Sequence, residues 1–422
     1  MLRKTLILTL LFAFALAACA PASTPTEAPA PAPTEVPATA APTPQAPVAV
    51  APEHNLTDGC VAEGQFDPNV DYFPEKATLA YTENFSIEYH NNYKVVTVAT
   101  PYPGATESVE YVLVQCGTPA PEGFLDEQII EVPVQTIVTM STSYLPFLDE
   151  LGLLDRLVGL DDATYVSNPT VLKMAEEGKL TMLGYGSGVN VEKALELAPD
   201  LIMTYGSGAP EYDAHPVLLQ AGLKVVLNAE WMDTSPLGRA EWGKFIAAFF
   251  NKEAEAETLF AAKAQKYEEL KALAAGVTEK PTVFTGTAYQ GTWNVPGGKS
   301  FAAAFLTDAG AAYLWADDAS TGSLPLSFEA VFEKAKEADF WLNLPFVATL
   351  EDLKALDARY ADFAAFQNGN VWNNDAKTSP NGGNDYYESA VAHPELVLAD
   401  LIKIFHPDLL PDHELVYYRQ LK

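Results

Sequence analysis

The chain has 422 residues, of which 48% are hydrophobic and 19% are charged. This length and composition favour two or three domains with sizeable cores over one compact domain or a disordered chain. Asp and Glu number 56 against 25 Lys and Arg, and the resulting net charge of -31 repels phosphate backbones, which excludes nucleic acid as a partner. Three cysteines are too few for a disulfide scaffold, and the six scattered histidines do not have zinc-finger spacing.

The first residues have the pattern of an export signal. Arg3 and Lys4 precede an apolar run over residues 6–18, which is shorter than the roughly 20 residues that a membrane-spanning helix needs. We therefore interpret residues 1–18 as a signal peptide. The run ends in Leu-Ala-Ala before Cys19 and resembles a bacterial lipoprotein signal, which is cleaved before a lipid-modified cysteine. This predicts that acyl chains on Cys19 anchor the protein to the cell membrane; a plain signal peptide is the alternative.

A tether follows the signal. Residues 19–52 are mostly Pro, Ala and Thr, and ten of residues 20–52 are proline. Such a segment buries little apolar surface and favours a semi-rigid, extended conformation. Together with the lipid anchor, it predicts an extracytoplasmic protein of the bacterial cell envelope that works close to a membrane partner.

Short runs with β-type alternation dominate residues 53–134. Residues 85–89 alternate between apolar and polar side chains before an Asn-Asn turn, and further β-type runs follow at 93–100, 111–115 and 129–134. We predict that residues 53–134 form a small antiparallel β appendage on the first lobe. Cys60 and Cys116 both lie in it, and they either form a disulfide or remain two buried thiols.

From residue 135 onward, strand-like and helix-like segments alternate, which is typical of parallel α/β architecture. Residues 253–275 lack Gly and Pro and are rich in strong helix formers, which predicts one helix about 34 Å long. We therefore predict two α/β lobes with mostly parallel sheets, at residues 135–252 and 276–422, joined by this helix. The predicted strands lie at 136–140, 157–160, 201–204, 224–227 and 282–285.

A short pattern occurs in both halves of this region. Asn190 opens a helix with Glu192 in its first turn, and Ser327 opens another with Glu329 in its first turn. An aspartate and an apolar strand follow each helix. A glutamate at this position interacts favourably with the helix dipole, so the pattern has a purely structural explanation when it is taken alone.

The stretch from residue 136 to residue 202 resembles the iron-chelate and vitamin B12 periplasmic-binding domain of ABC importers. The segments that carry the resemblance are the strand end and small polar loop TMST at 139–142, LDELGLLDRLVG at 148–159, Asn190-Val191-Glu192, and PDLI at 199–202. The resemblance covers roughly residues 134–410. It implies two α/β lobes bridged by one rigid helix, with the ligand in the cleft between them.

The resemblance also implies the partners. It implies a solute-binding protein that is not an enzyme, has no intrinsic cofactor and delivers a small-molecule metal chelate to an ABC permease and its ATPase. One surface glutamate on each lobe would dock onto arginines of the permease, and these match Glu192 and Glu329. We expect a monomer.

Ligands of open α/β sheets bind beyond the carboxyl ends of the strands. In the first lobe the predicted ligand-binding residues are Ser141, Thr142, Tyr144, Tyr165, Tyr185 and Tyr205. In the second lobe they are Tyr289, Trp293, Trp372, Asn374 and Tyr386. Lys299 and Lys377 are the few cationic residues nearby, whereas anionic chelates and haem propionates usually call for Arg. This favours a neutral or cationic ferric siderophore, or a corrinoid.

Three other classes of function stay open. A protein that holds a metal ion directly needs converging His and carboxylate ligands, and none of the histidines follows a predicted cleft-facing strand. An enzyme is disfavoured because Ser187 and Ser207 lie in Tyr-Gly-Ser-Gly rather than G-x-S-x-G, and no HExxH, P-loop or GxGxxG stands out. A surface-anchored sensory or adhesion protein with the same fold is the third.

Overall fold

The computed structural model describes residues 51–422. The predictions for residues 1–50, which include the signal peptide, Cys19 and most of the tether, lie outside the described residues. Within residues 51–422, no helix is both long enough and apolar enough to span a membrane.

The appendage is a four-stranded sheet. Its strands are β1 (Phe85–Tyr89), β2 (Tyr93–Val98), β3 (Val109–Gln115) and β4 (Ile129–Val132). The first three pair antiparallel, but β4 pairs parallel with β3, which corrects the prediction of a wholly antiparallel appendage. The chain between β3 and β4 crosses over through a 3-10 turn at Asp126–Gln128 instead of reversing in a hairpin. Cys60 and Cys116 form a disulfide in this region.

The first lobe is built on a parallel five-stranded sheet. Its strands are β5 (Ile137–Thr139), β6 (Leu157–Leu160), β7 (Thr181–Met182), β8 (Leu201–Thr204) and β9 (Val225–Leu227). Its helices are α1 (Leu145–Glu150), α2 (Pro169–Glu176), α3 (Val191–Leu197), α4 (His215–Gln220) and α5 (Pro236–Ala248). The strand order is β7-β6-β5-β8-β9, so the winding direction reverses between β5 and β8. Ile137 and Val138 enter different hydrophobic clusters, one on each face of the sheet.

Helix α6 (Glu253–Ala275) joins the lobes and has the predicted bounds. Ala256, near its start, packs in the hydrophobic core of the first lobe, whereas Phe260, Tyr267 and Ala274 pack in the core of the second lobe. The helix is therefore part of both cores, which makes it a rigid connection.

The second lobe contains a five-stranded sheet and a small antiparallel one. Its strands are β10 (Thr282–Thr285), β11 (Ala288–Tyr289), β12 (Thr292–Pro296), β13 (Ala312–Tyr313), β14 (Ser323–Leu326), β15 (Phe340–Leu342), β16 (Val371–Asn373) and β17 (Arg419–Gln420). Its helices are α7 (Phe301–Asp308), α8 (Phe328–Ala335), α9 (Leu350–Leu356), α10 (Ala364–Gln367), α11 (Ser389–Ala392) and α12 (Pro394–Phe405). The main sheet has the order β13-β10-β15-β16-β17 and is parallel except at β17, while β11, β12 and β14 form the small sheet.

The repeated sequence pattern corresponds to a repeated corner. In the first lobe, the Asp200 carboxylate accepts the N–H of Thr136 at 2.9 Å, and the N–H of Asp200 donates to Thr136 Oγ1 at 2.9 Å. In the second lobe, Asp339 and Thr282 make the same two bonds at 2.8 and 3.0 Å. Each pair fastens the start of a strand, β8 or β15, to the start of the first strand of its lobe.

Buried polar bonds fasten the appendage to the first lobe and to α6. The Lys94 ammonium lies 2.6 Å from Glu253 Oε1, and both side chains are fully buried. It also donates to the carbonyl of Ala248 and to Asn251 Oδ1, at 2.6 and 2.9 Å. Burial lowers the pKa of Lys94, and the charge of Glu253 opposes that shift. These buried bonds join Lys94 of the appendage to the first lobe and to the start of α6. Because breaking such a buried pair is costly, the appendage and the first lobe form one unit.

Candidate ligand-binding cleft

A cleft of about 1230 Å³ opens between the lobes. Thr142, Tyr165 and residues 231–233 line it from the first lobe, and Pro103 lines it from the loop between β2 and β3 of the appendage. The opposite wall comes from loops at the carboxyl ends of second-lobe strands. This is the edge at which ligands of open α/β sheets bind.

The second-lobe wall is rich in amides and hydroxyls. Thr285 and Thr287 come from the end of β10, and Asn343 follows β15, at the point where the winding of this sheet reverses. Asn373, at the end of β16, accepts the N–H of Leu344 at 3.0 Å and donates to the carbonyl of Val347 at 3.1 Å. These two bonds hold residues 343–348 as an ordered wall of the cleft.

Exposed aromatic side chains are concentrated at this cleft. Residues 51–422 contain eight large aromatic side chains that are exposed, and five of them line it. They are Tyr165, Trp231, Tyr289, Phe346 and Tyr387. Phe346 is 99% exposed and has a left-handed backbone with φ of 60°. Apolar surface of this extent in a concave site is typical of a ligand-binding surface.

The charged groups of the cleft are already partnered. Asp233 accepts from Thr82 Oγ1 and Trp242 Nε1, both at 2.7 Å, and burial raises its pKa. Asp375 pairs with Arg419 at 2.7 Å. Among the described residues, no Lys, Arg or His lines the cleft. The lining is therefore close to electrically neutral, with a weakly acidic bias.

Four of the predicted ligand-binding residues meet in this cleft. Thr142 and Tyr165 line it from the first lobe, and Tyr289 and Asn374 line it from the second. Their contact with a ligand stays a prediction. The remaining predicted residues have other environments.

Trp293, one of the predicted ligand-binding residues, lies in β12, where burial alternates. Its side chain is fully buried among Phe284, Trp341 and Phe363, and its indole N–H donates to the carbonyl of Thr285 at 2.9 Å. The neighbouring Asn294 lines the cleft instead. Successive residues of a strand point to opposite faces of the sheet. The prediction that Trp293 binds the ligand is therefore wrong, because Trp293 faces the core and Asn294 faces the cleft.

Four other predicted residues do not line the cleft either. Tyr144 is fully buried and donates to the carbonyl of Asn228 at 3.1 Å. Trp372 is half-buried and lies between Val371 and Asn373, whose side chains are buried. Tyr386 is half-buried and packs edge-on against Tyr417 and Tyr418, while its neighbour Tyr387 lines the cleft. Ser141 caps the 3-10 turn Thr142–Tyr144 and hydrogen-bonds Ser143 at 2.8 Å.

Tyr185 and Tyr205 lie together but outside the main cleft. They line a cavity of about 10 Å³ with Asp161, whose pKa burial raises to about 6. The appendage covers the Tyr205 loop: a Cβ on Gly206 would lie 3.1 Å from the Tyr102 side chain. The appendage therefore occupies the part of the first lobe where the sequence predicted a ligand.

The sequence interpretation missed Trp231, Asn343 and Phe346. Asn343 follows a short apolar strand, and the rule that ligands bind at the carboxyl ends of strands would have found it. Trp231 lies in the 3-10 turn Glu230–Met232 and Phe346 lies in a loop after β15, and no sequence pattern distinguishes either position.

Glu192 and Glu329 occupy equivalent places on the two lobes. Asn190 caps α3 and Ser327 caps α8, and both glutamates are exposed in the first turn of their helices. Glu329 makes an exposed ion pair of 3.3 Å with Arg359.

One group of potential metal ligands was found within residues 51–422. It consists of Cys60, Cys116 and Glu131. Because the two cysteines form a disulfide, their sulfurs are not available as thiolate ligands.

Comparison with known proteins agrees with this architecture. Residues 137–378 match the family described as periplasmic binding protein. Two uncharacterized lipoproteins of Methanocaldococcus jannaschii are each 28% identical to this chain. One alignment covers 67% of this chain and 67% of the relative, and the other covers 82% and 87%.

Solved structures share the fold. A possible iron-binding periplasmic solute-binding protein of Staphylococcus epidermidis matches with a TM-score of 0.51 and 17% identity, over 65% of this chain and 99% of its own. A periplasmic heme-binding protein of Pseudomonas aeruginosa matches with a TM-score of 0.50 and 21% identity, over 68% and 98%. The Ceue protein of Helicobacter pylori with Ni(II) bound matches with a TM-score of 0.51 and 16% identity, over 68% and 88%.

The two-lobed fold with an interlobe cleft is that of periplasmic binding proteins. The chain belongs to the periplasmic binding protein family, which confirms the resemblance to the iron-chelate and vitamin B12 binding domain. Members of this family are solute-binding proteins and not enzymes.

Proposed function

We propose that this protein captures a ferric siderophore or a corrinoid in the interlobe cleft and delivers it to the permease of an ABC importer. The observation that carries the proposal is the lining of the cleft. Exposed aromatic rings stand there among amides and hydroxyls, and none of the described residues that line the cleft is cationic. Aromatic side chains offer a large contact area to a bulky chelate, and amides hydrogen-bond its polar groups.

The size and charge of the cleft support a bulky, uncharged or cationic ligand. Its volume of about 1230 Å³ exceeds the roughly 300–1,000 Å³ that is usual for small-molecule sites. The acidic chain, with a net charge of -31, attracts cations and repels anions. A triply anionic catecholate chelate, or haem with its two propionates, would enter this cleft without an arginine to pair with.

Calorimetric titration tests the proposal with four probes: cyanocobalamin, a neutral ferric hydroxamate, an anionic ferric catecholate, and haem. We expect one of the first two to bind most tightly. Binding should also change tryptophan emission, and Trp231→Phe should remove most of that change, because Trp231 is the tryptophan that lines the cleft. Preferential binding of haem or the catecholate, or no binding of any probe, would contradict the proposal.

Phe346 offers the sharpest variant. Because its side chain is 99% exposed, Phe346→Ala should leave the free energy of unfolding unchanged. Loss of an aromatic anchor typically costs about 2 kcal/mol or more, which corresponds to a binding constant roughly thirtyfold weaker. Tyr212→Ala is the matched control, since Tyr212 is 70% exposed and lies outside the cleft lining. Equal affinities for the two variants would remove Phe346 from the site.

Docking onto the permease is the second part of the proposal. Glu192 and Glu329 are exposed on matching helices of the two lobes, and their changes to Ala should abolish uptake while leaving ligand affinity unchanged. Glu196 and Glu333 lie on the same two helices and are also exposed, so Glu196→Ala with Glu333→Ala is the control. Normal uptake with the first double variant, or equal loss with both, would refute the assignment.

Anchoring through Cys19 is the third part. The lipoprotein-like signal and the names of the two archaeal relatives support it. Wild-type protein should partition into detergent with the membrane fraction, and Cys19→Ser should be released or left unprocessed. Unchanged partitioning together with normal processing of the variant would exclude a lipid anchor at Cys19.

A further inference from the structure

The chain enters the first lobe a second time, long after α6 in the sequence. Helix α11 lies within the range predicted for the second lobe, yet Val391 and Ala392 belong to the hydrophobic core of the first lobe. The helix packs against α1 and α5. The second-lobe segment 383–395, which we name the return segment, therefore connects the lobes independently of the long helix.

Glu388 fastens the return segment to a loop that lines the cleft. Its side chain is buried, with 2% of the residue exposed. Its two carboxylate oxygens accept the backbone N–H groups of Ser167 and Asn168, each at 2.7 Å. These residues end the loop 161–168, which carries Tyr165. We name residues 161–168 the Tyr165 loop.

The return segment also approaches the Tyr165 loop closely. A Cβ on Gly383 would lie 2.3 Å from the carbonyl oxygen of Tyr165, so the observed contact requires glycine. Farther along, His393 Nε2 lies 3.0 Å from Glu150 Oε1 at the end of α1, and Lys263 of α6 lies 2.5 Å from the other oxygen of Glu150. The segment thus contacts the first lobe at three places.

We propose that Glu388 is a positioning residue of the ligand-binding cleft: from the second lobe it holds the Tyr165 loop of the first lobe, and so fixes where Tyr165 stands and how far the cleft opens on this side. The inference rests on the proposed function, because it takes the cleft as the ligand site. A hydrophobic contact would not select one position of the loop, whereas two directed hydrogen bonds do.

The attachment should depend on pH in a defined direction. Burial raises the pKa of Glu388 to about 7, although its two N–H donors lower it, and nearby Asp385 raises it further. A detached, solvated glutamate has its ordinary pKa of about 4.5. The attached state therefore binds the proton more tightly, so attachment is strongest in acid and weakens as the pH rises toward 7.

Other titratable groups lie around the attachment. The side-chain amide of Asn168 donates a hydrogen bond to the carboxylate of Asp149 in α1 at 2.7 Å. The ammonium of Lys377 lies 3.9 Å from the carboxylate of Asp385. Burial lowers the pKa of His393, but hydrogen bonds to Glu150 and Glu395 outweigh it and raise the pKa to about 9. If His393 detaches as well, its pKa falls from about 9 to its ordinary value of 6.5. The contribution of His393 to the attachment is therefore lost as the pH rises from 6.5 to about 9.

Hydrogen exchange of the ligand-free protein tests the attachment. With Glu388→Ala, we expect the amides of Ser167 and Asn168 to lose at least tenfold in protection. Glu241→Ala is the matched control: Glu241 is a buried carboxylate that accepts the N–H groups of residues 80–82, none of which lies in the return segment or the Tyr165 loop, so its loss should leave the Tyr165 loop protected. Unchanged protection in Glu388→Ala, or equal loss in both variants, would overturn the proposal.

Glu388→Gln separates a positioning role from a structural one, because it keeps the volume and removes the titration. In wild-type protein the corrected protection factors of the two amides should fall by up to about tenfold per pH unit between pH 5 and 7, and in the variant they should not. The same slope in both proteins would contradict the role of Glu388.

Ligand affinity completes the test. Glu388→Ala should weaken binding of cyanocobalamin or the neutral ferric hydroxamate, whichever the wild type binds, by tenfold or more. A lower melting temperature with unchanged affinity would overturn the positioning role. If neither probe binds the wild type, the proposed function fails, while the exchange experiment still decides whether Glu388 holds the loop.

Discussion

The two lobes are alike at one edge of their sheets and different at the other. At the amino ends of the strands, Thr136 with Asp200 and Thr282 with Asp339 make the same pair of hydrogen bonds at nearly the same distances. At the carboxyl ends, the second lobe presents open loops with Asn343 and Phe346, whereas the first lobe is largely covered. The repeated pattern therefore preserves the scaffold, whereas the lining of the cleft lies where the two lobes differ.

The appendage explains most of this difference. Tyr102 and Pro103 pack over the Tyr205 loop, so the first lobe contributes little more than Thr142, Tyr165 and residues 231–233 to the cleft. Ligands of such sheets bind beyond the carboxyl ends of strands, and a covered edge cannot offer that surface. The second lobe therefore provides most of the lining of the cleft.

The largest effect should follow from breaking the joint between the appendage and the first lobe. Lys94→Met leaves Glu253 as a buried, unpaired charge, which should cost about 3–5 kcal/mol of the free energy of unfolding. Lys76→Met is the control, because the ion pair of Lys76 with Asp71 is largely exposed and should be worth less than about 1 kcal/mol. Denaturant titration of both variants measures the difference. Equal stabilities would mean that the appendage is only loosely attached.

The second largest effect should separate two neighbours on β12. Trp293→Ala removes a fully buried indole and should cost about 3–5 kcal/mol of stability. Asn294→Ala should leave stability nearly unchanged, and it should weaken ligand binding by about 1 kcal/mol, the usual contribution of one hydrogen bond. Thermal unfolding and calorimetric titration of both variants decide. If Trp293→Ala weakened ligand binding without lowering stability, Trp293 would be a ligand-binding residue after all.

The same pair shows what the sequence predicts well and what it does not. Apolar runs and helix formers locate buried elements, so the strands at 157–160, 201–204 and 282–285 and the helix at 253–275 have the predicted bounds. Side-chain direction at a strand end depends on a one-residue register that composition does not determine, and this reversed the roles of Trp293 and Asn294. Tyr386 and Tyr387 are consecutive residues of a 3-10 turn, and there too the neighbour of the predicted residue lines the cleft.

Contacts between distant segments were the other source of error. Tyr205 follows a strand and has the right chemistry, but a loop about a hundred residues earlier in the chain lies against its neighbours Gly206 and Gly208. Likewise, α11 packs in the lobe to which its place in the sequence does not assign it. Local patterns carry no information about such contacts, because the contacts depend on how the whole chain folds.

The smallest effects should test whether the two repeated corners are energetically equal. Asp200 and Asp339 are both exposed, and each bonds the backbone N–H at the start of its lobe's first strand. Asp200→Ala and Asp339→Ala should each cost about 1 kcal/mol, since exposed hydrogen bonds compete with water. The two losses should agree within about 0.5 kcal/mol, and they should add in the double variant, because the sites are distant and share no partner.

Asp412→Ala, a change to an exposed aspartate with no such bonds among those found, should be neutral. Denaturant titration with matched slopes checks all four proteins. If only one of the two single variants lost stability, the hydrogen bonds of that corner alone would stabilise the protein. The repeated sequence pattern would then not correspond to an equal contribution to the free energy of unfolding.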